Sequence, residues 1–184
     1  MALAPFIRKA SLSAVGVLTG ISSDEFEKLV SGVSVAIEFD SSASDTFEGT
    51  TASELIVNLL ARLYPRIILK ASRASRAFSD RLAAMALSIN PALDLDEHGN
   101  PDAAIMLGNA NAPGLEKKIF VGSDSWISKI STHKPQSFGA SSIPFGPAGA
   151  ACLATANLFR MVFARFLENA QVDSDLWFDF RDYS

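Results

Sequence analysis

Two runs of carboxylates are the first residues whose type could support chemistry. Asp40, Asp45, Glu48 and Glu54 follow an expected strand, and Asp94, Asp96, Glu97 and His98 form a second group. Clustered acids hold hard cations when their spacing lets several oxygens converge. Neither run has the Asp-x-Asp-x-Asp-Gly order of a calcium loop, so both read as solvated acidic loops and no metal site is expected. Ser123 and Asp124, with His133, supply the residue types of a nucleophile, an acid and a base. A nucleophilic serine needs a strained elbow and a positioned base, whereas Gly122 to Ser125 offers a hairpin turn. Cys152 is the single cysteine. It can form neither a disulfide framework nor a zinc knuckle, and its place in an apolar helical pattern predicts a buried small hydrophobe. No catalytic residue is therefore expected.

Gly146-Pro147-Ala148-Gly149 stands at a predicted helix start, where bare amides attract anions. No Lys-Ser/Thr pair follows and no buried strand precedes, so close packing of a small-residue helix is the expectation. Ligands of open α/β sheets gather at the carboxyl ends of the strands. That makes Asp40, Ser72, Arg73, Ser123, Gly146 and Gly149 the weak candidates for a small nucleotide or phosphate ligand. No cofactor is predicted.

With 184 residues, 48% of them apolar, the chain is long enough to bury a core. Its net charge of −4 and scattered basic residues argue against a nucleic-acid surface. The densest basic group (Arg62, Arg66, Lys70, Arg73, Arg76 and Arg81) reads as a solvated rim, with an anion or acidic-partner site as the alternative. Arg8 and Lys9 before Leu12 to Ile21 give only the outline of a leader, since Ser11, Ser13 and Thr19 interrupt the apolar run. No run reaches the length of a membrane span, and a cytoplasmic protein without a membrane partner is expected.

The elements that would position these residues follow from periodicity. Residues 1–32 read as a helical arm, with a helix starting at Ser22 to Glu25 and stopping at Gly32. Residues 33–184 read as one Rossmann-like α/β domain. Val33 to Phe39 alternates as a strand, and residues 40–49 read as a polar loop. Thr51 and Glu54 fit a capping box for a helix carrying Leu55, Leu59, Leu60 and Leu63. Pro65 ends that helix before a buried strand at 66–71. A helix at about 74–89 and a strand at 103–107 come next. Strands at about 117–122 and 126–131 form a hairpin, followed by a loop at 132–147, a helix at about 148–168 and a last strand at 175–182. The alternation predicts a mixed sheet with helices packed on it.

Leu59 to Leu69 resembles the helix-to-strand passage of ThiF/MoeB-type ubiquitin-like-protein activating domains. Phe145 to Ala151 resembles that family's late helix of small residues. The resemblance implies a bacterial ubiquitin-like system. The departures imply a lost activity: no glycine occurs between Phe39 and Gly49, the second strand ends Lys70-Ala71-Ser72 without a ribose-binding acid, and the family's zinc cysteines and exposed conjugating cysteine are absent. The implied role is a non-catalytic scaffold or dimerisation module, pairing with a ThiF-type domain in cis or trans or forming a homo-oligomer. Trp126, Trp177, Phe138, Phe145 and Phe178 mark core edges or a partner surface.

Overall fold

A computed structural model describes residues 18–72 and 76–182. Helix α1 (Ser23–Ser31) opens on Ser22, whose hydroxyl accepts from the Glu25 amide while the Glu25 carboxylate accepts from the Ser22 amide. This reciprocal cap satisfies two of the donors that a helix start leaves bare. Strand β1 (Val35–Phe39) follows, and it is buried on both faces, not on alternate residues as expected. Its central place in the sheet is the reason: parallel strands covered on both sides lose the alternation.

Residues 40–49 are not a loop. A short helix α2 (Ser41–Asp45) leads straight into α3 (Phe47–Ala61). Thr46 caps α3 by accepting from the Gly49 amide at 3.0 Å, so Thr51 and Glu54 lie inside the helix rather than at its start. Helix α3 buries Ile56, Val57 and Leu60 and leaves Leu55 and Leu59 half-buried, as is Leu63 in the turn that follows it. Strand β2 (Arg66–Ala71), helix α4 (Arg76–Ile89) and the edge strand β3 (Asp94–Asp96) come next, the last at the start of the run expected to be an acidic loop. Strands β4 (Ala103–Leu107), β5 (Lys118–Asp124) and β6 (Ile127–Ser131) precede the long helix α5 (Phe145–Phe163). A 3₁₀ turn (Ala164–Phe166) and strand β7 (Asp175–Asp179) complete the described chain.

The seven strands run in the order β3-β2-β1-β4-β5-β6-β7. The first five are parallel and the β6 and β7 pairings are antiparallel. This is the single α/β domain with a mixed sheet that the sequence predicts. Aspartates sit at the ends of both edge strands, Asp94 and Asp96 on β3 and Asp175 and Asp179 on β7.

One face of the sheet carries the main core. Val35, Ile37, Phe39, Ile67, Ile105 and Val121 meet α1, α3, α4 and α5 there. On the opposite face a smaller cluster of Ala36, Ile68, Met106 and Phe120 packs against Ala110, Ala112 and Leu115 from the β4–β5 connection. Glycines let α5 lie close to the sheet. A Cβ on Gly146 would meet the Ser125 and Ile127 carbonyls, and one on Gly149 would enter the Phe180 ring. Helix α5 with its 3₁₀ turn is long and apolar enough to cross a membrane, yet its Ala150, Ala151, Ala154, Leu158 and Phe163 are core residues of this domain.

The helix start is testable. Thr46→Ala should cost about 1 kcal/mol in denaturant unfolding, the usual loss for an N-cap. Thr51→Ala, inside the helix, should cost less than half as much.

Candidate functional site

Parallel order reverses between β1 and β4, where doubly wound sheets open a crevice for ligands. Here that crevice is filled by the chain itself. Asp40 follows β1 and caps α2; one carboxylate oxygen accepts from the Ser42 amide at 3.0 Å and the Ser42 hydroxyl at 2.6 Å. The other oxygen accepts from the Asn109 amide at 3.1 Å, just past β4. Gly108 sits between them at φ +71°, where a Cβ would run into the Ser42 hydroxyl and the Asp40 carboxylate. The backbone amides at this switch point thus already hold an anion, the Asp40 side chain.

Beside it stands an interaction that the sequence did not signal. Glu48, in the first turn of α3, is fully buried. Its carboxylate accepts from the Ser123 hydroxyl, from the Ser125 amide at 3.0 Å, and from the Ser141 amide and hydroxyl at 3.1 and 2.8 Å. Burial pushes the Glu48 carboxyl up, but these donors together outweigh it and hold it below the ordinary value. Ser123 is fully buried and faces this carboxylate, with no histidine among its bonds. Asp124 pairs instead with Lys129 at 3.8 Å, and the His133 amide bonds to the Ser131 hydroxyl. The triad types are therefore dispersed. The sequence groups Glu48 with solvated acids, whereas it is buried; its place two residues after the capping Thr46, at the head of an apolar helix, is the one signal that sets it apart.

The other candidates separate. Ser72 is exposed, its amide bonded to the Phe39 carbonyl at 2.8 Å, and Arg73 lies outside the described residues. Gly146 and Gly149 are packing positions, as above. A cavity of about 340 Å³ opens at the ends of β2 and β3, lined by Lys70, Arg76, Ser79, Glu97 and His98. Its cations are already matched: Lys70 to Glu38 at 3.5 Å, and Arg76 to Asp80 and Glu97 at 3.5 and 3.8 Å. Arg66 and Arg81 pair with Asp94 and Glu54. Of the described members of the basic group, Arg66, Lys70, Arg76 and Arg81 are ion-paired and Arg62 donates to the Asn58 side chain at 3.0 Å. Among the described residues no three His, Cys, Asp or Glu side chains converge as metal ligands would.

Cys152 is exposed, not buried, because α5 turns Ala151 and Ala154 inward and so sends residue 152 outward. It lines an apolar groove of about 360 Å³ between α3 and α5, with Leu59, Leu60, Leu63, Tyr64, Thr155 and Ala156. Tyr64 is 1% exposed and its hydroxyl has no hydrogen-bond partner; burial pushes its phenol up. Ala156 also borders a second cavity, about 560 Å³, with Phe159, Arg160, Leu167, Asn169, Gln171 and Asp173. Apolar surface continues elsewhere: Phe145, half exposed, stacks on Trp126 at 4.7 Å, and Trp177 is exposed.

A depressed carboxylate contributes stability that is present above its unfolded pKa of about 4.3 and lost as pH falls through its lower folded value. Glu48→Gln should unfold about 1–3 kcal/mol more easily at pH 7, since it leaves buried donors poorly matched. It should also lose part of the fall in stability below about pH 4.3, checked by urea midpoints from pH 7 to 3.

The solved structure of selenomethionine-labelled PaaA superimposes with a TM-score of 0.66 over 97% of this chain and 80% of that one, at 8% identity, a likeness of fold alone. An uncharacterized protein of Sinorhizobium fredii (strain NBRC 101917 / NGR234), y4jF, is 37% identical over 178 residues, which are 96% of this chain. The chain spans only 34% of that relative's length. The family model that matches, over residues 38–164, is prokaryotic E2 family C. This corrects the assignment to ThiF/MoeB-type activating domains and the scaffold role drawn from it. It lends no support to a small phosphate-ligand enzyme either. The quoted passages, an amphipathic helix running into a buried strand and a small-residue helix against a sheet, are packing patterns that many α/β proteins share. The chain belongs to prokaryotic E2 family C.

Proposed function

We propose that this chain is a protein-docking module of a prokaryotic ubiquitin-like system, working through its helical face rather than through a ligand at the sheet. The observation that carries the reading is the Asp40 carboxylate at the β1–β4 switch point, bonded to the Ser42 and Asn109 amides. An internal anion at those amides opposes a second one by charge and by space. The family, a prokaryotic E2 family, supports a protein-interacting context. Exposed Phe47, Phe145, Trp177 and Leu87 supply the apolar and aromatic surface that interfaces favour. An exposed single thiol, Cys152, fits a reducing compartment, and the cytoplasm is the place of action we assign.

The y4jF polypeptide offers a partner to test, because two thirds of it lie outside the matched region. The matched third and the separately produced remainder should form a complex with a micromolar or tighter dissociation constant in calorimetry. Absence of heat and of co-elution at about 100 µM of each would remove the docking role.

A further inference from the structure

Beyond the helical face, and without resting on it, we infer that the open edge of β7 receives an extended strand of a partner polypeptide. That strand sets a β-branched apolar side chain against Trp177 and a lysine or arginine against Asp175. The backbone parity of β7 comes first. The Thr132 amide donates to the Ser174 carbonyl at 2.7 Å, and the Phe180 amide donates to the Trp126 carbonyl at 3.1 Å. In the register that pairs Ser131 with Asp175 and Ile127 with Asp179, these bonds make the even-numbered residues the hydrogen-bonded partners of β6. The N–H and C=O groups of Asp175, Trp177 and Asp179 therefore point away from β6, to the edge where the sheet order ends. Among the described residues no hydrogen bond uses them.

The side chains of the same three residues share one face of the strand, while Leu176, on the other face, packs on the main core. Trp177 stands at the centre, 61% exposed. An edge closed by repulsion alone needs no bare indole there, whereas aromatic and β-branched cross-strand pairs stabilise an added strand. Lys129, opposite on β6, already places its ammonium over the Trp177 ring at 5.4 Å. A second cation facing Trp177 would meet like charge, so the residue there is apolar. The charge preference lies two residues along. Asp175 is exposed and enters no ion pair among the described residues, whereas Arg181 holds Asp179 and Lys129 reaches Asp124 at 3.8 Å. The partner's cation thus belongs opposite Asp175. Main-chain bonds give such strand addition its affinity, and alternate side chains give it selectivity. The aspartate that repels an acidic strand selects a basic one.

The test uses the intact 184-residue chain and the acetylated, amidated peptide Thr-Lys-Thr-Val-Thr-Lys-Thr, which reads alike in both directions. Amide hydrogen exchange followed by NMR separates the two edges of β7. In the free protein the Leu176 and Phe178 amides should exchange slowly and those of Asp175, Trp177 and Asp179 freely. Saturating peptide should slow the latter three about tenfold. Replacing both lysines of the peptide by glutamate should abolish the effect, and replacing its valine by glycine should weaken it. Asp175→Lys should lose the lysine peptide and gain the glutamate one, a reversal that loss of folding cannot produce. Unchanged exchange through millimolar peptide overturns the inference, and so does a glutamate peptide that binds Asp175→Lys no better than the native chain. Slow exchange of the odd-numbered amides without peptide also overturns it, because the edge is then already covered. If that slowing grows with protein concentration, the cover is a second copy of the chain. None of these results bears on the helical face, which the y4jF remainder tests separately.

Discussion

The arrangement of the carboxyl edge of the sheet depends on one buried carboxylate. Glu48 belongs to α3, yet its donors come from β5, from the β5–β6 turn and from the long connection before α5. A charge without solvent is tolerated only when its lone pairs are filled, and four donors fill them. The same bonds hold three separate segments against the head of α3, where the helix dipole also favours negative charge. Around this point the loop at 132–144 runs beside β5, with the Ser123 and Gly139 amides donating to the Ser137 and Ser123 carbonyls. Helix α5 then starts with the Gly146 amide on the Ser125 carbonyl.

Asp40 and Glu48 divide the work of closing that edge. One ends β1 and occupies the amides on either side of the switch point; the other binds the hairpin and the connection that would otherwise flank an open crevice. Open space remains at the ends of β2 and β3, beside the Lys70–Glu38 pair, and on the helical layer between α3 and α5. Membership of a prokaryotic E2 family accords with a surface that meets polypeptides.

Much of the fold was legible because periodicity and stop signals are local. The Ser22–Glu25 cap, the Gly32 stop, Pro65 before β2 and the hairpin around Ser125 all act over a few residues. What was not legible depended on contacts across the chain. Residues 40–49 looked like loop because Ser, Thr and Asp are cap formers as well as loop formers; Thr46 turned out to cap α3, which displaced the start expected at Thr51. Cys152 was misplaced by one helical step, as its neighbours Ala151 and Ala154 took the inward positions. Glu48 looked like any acid in a polar run, since its donors lie 75 to 93 residues away. Family membership could not be read from packing patterns that many α/β domains share.

The two edges of the sheet carry a consequence for solubility at high concentration. An open strand is a template on which another chain can add, and continued addition builds fibrils. Strand β3 is three residues long with an aspartate at each end, and β7 begins and ends on aspartate as well. A second strand laid against either edge in the same register would bring like charges together. The chain is thereby guarded against edge-to-edge stacking on both sides.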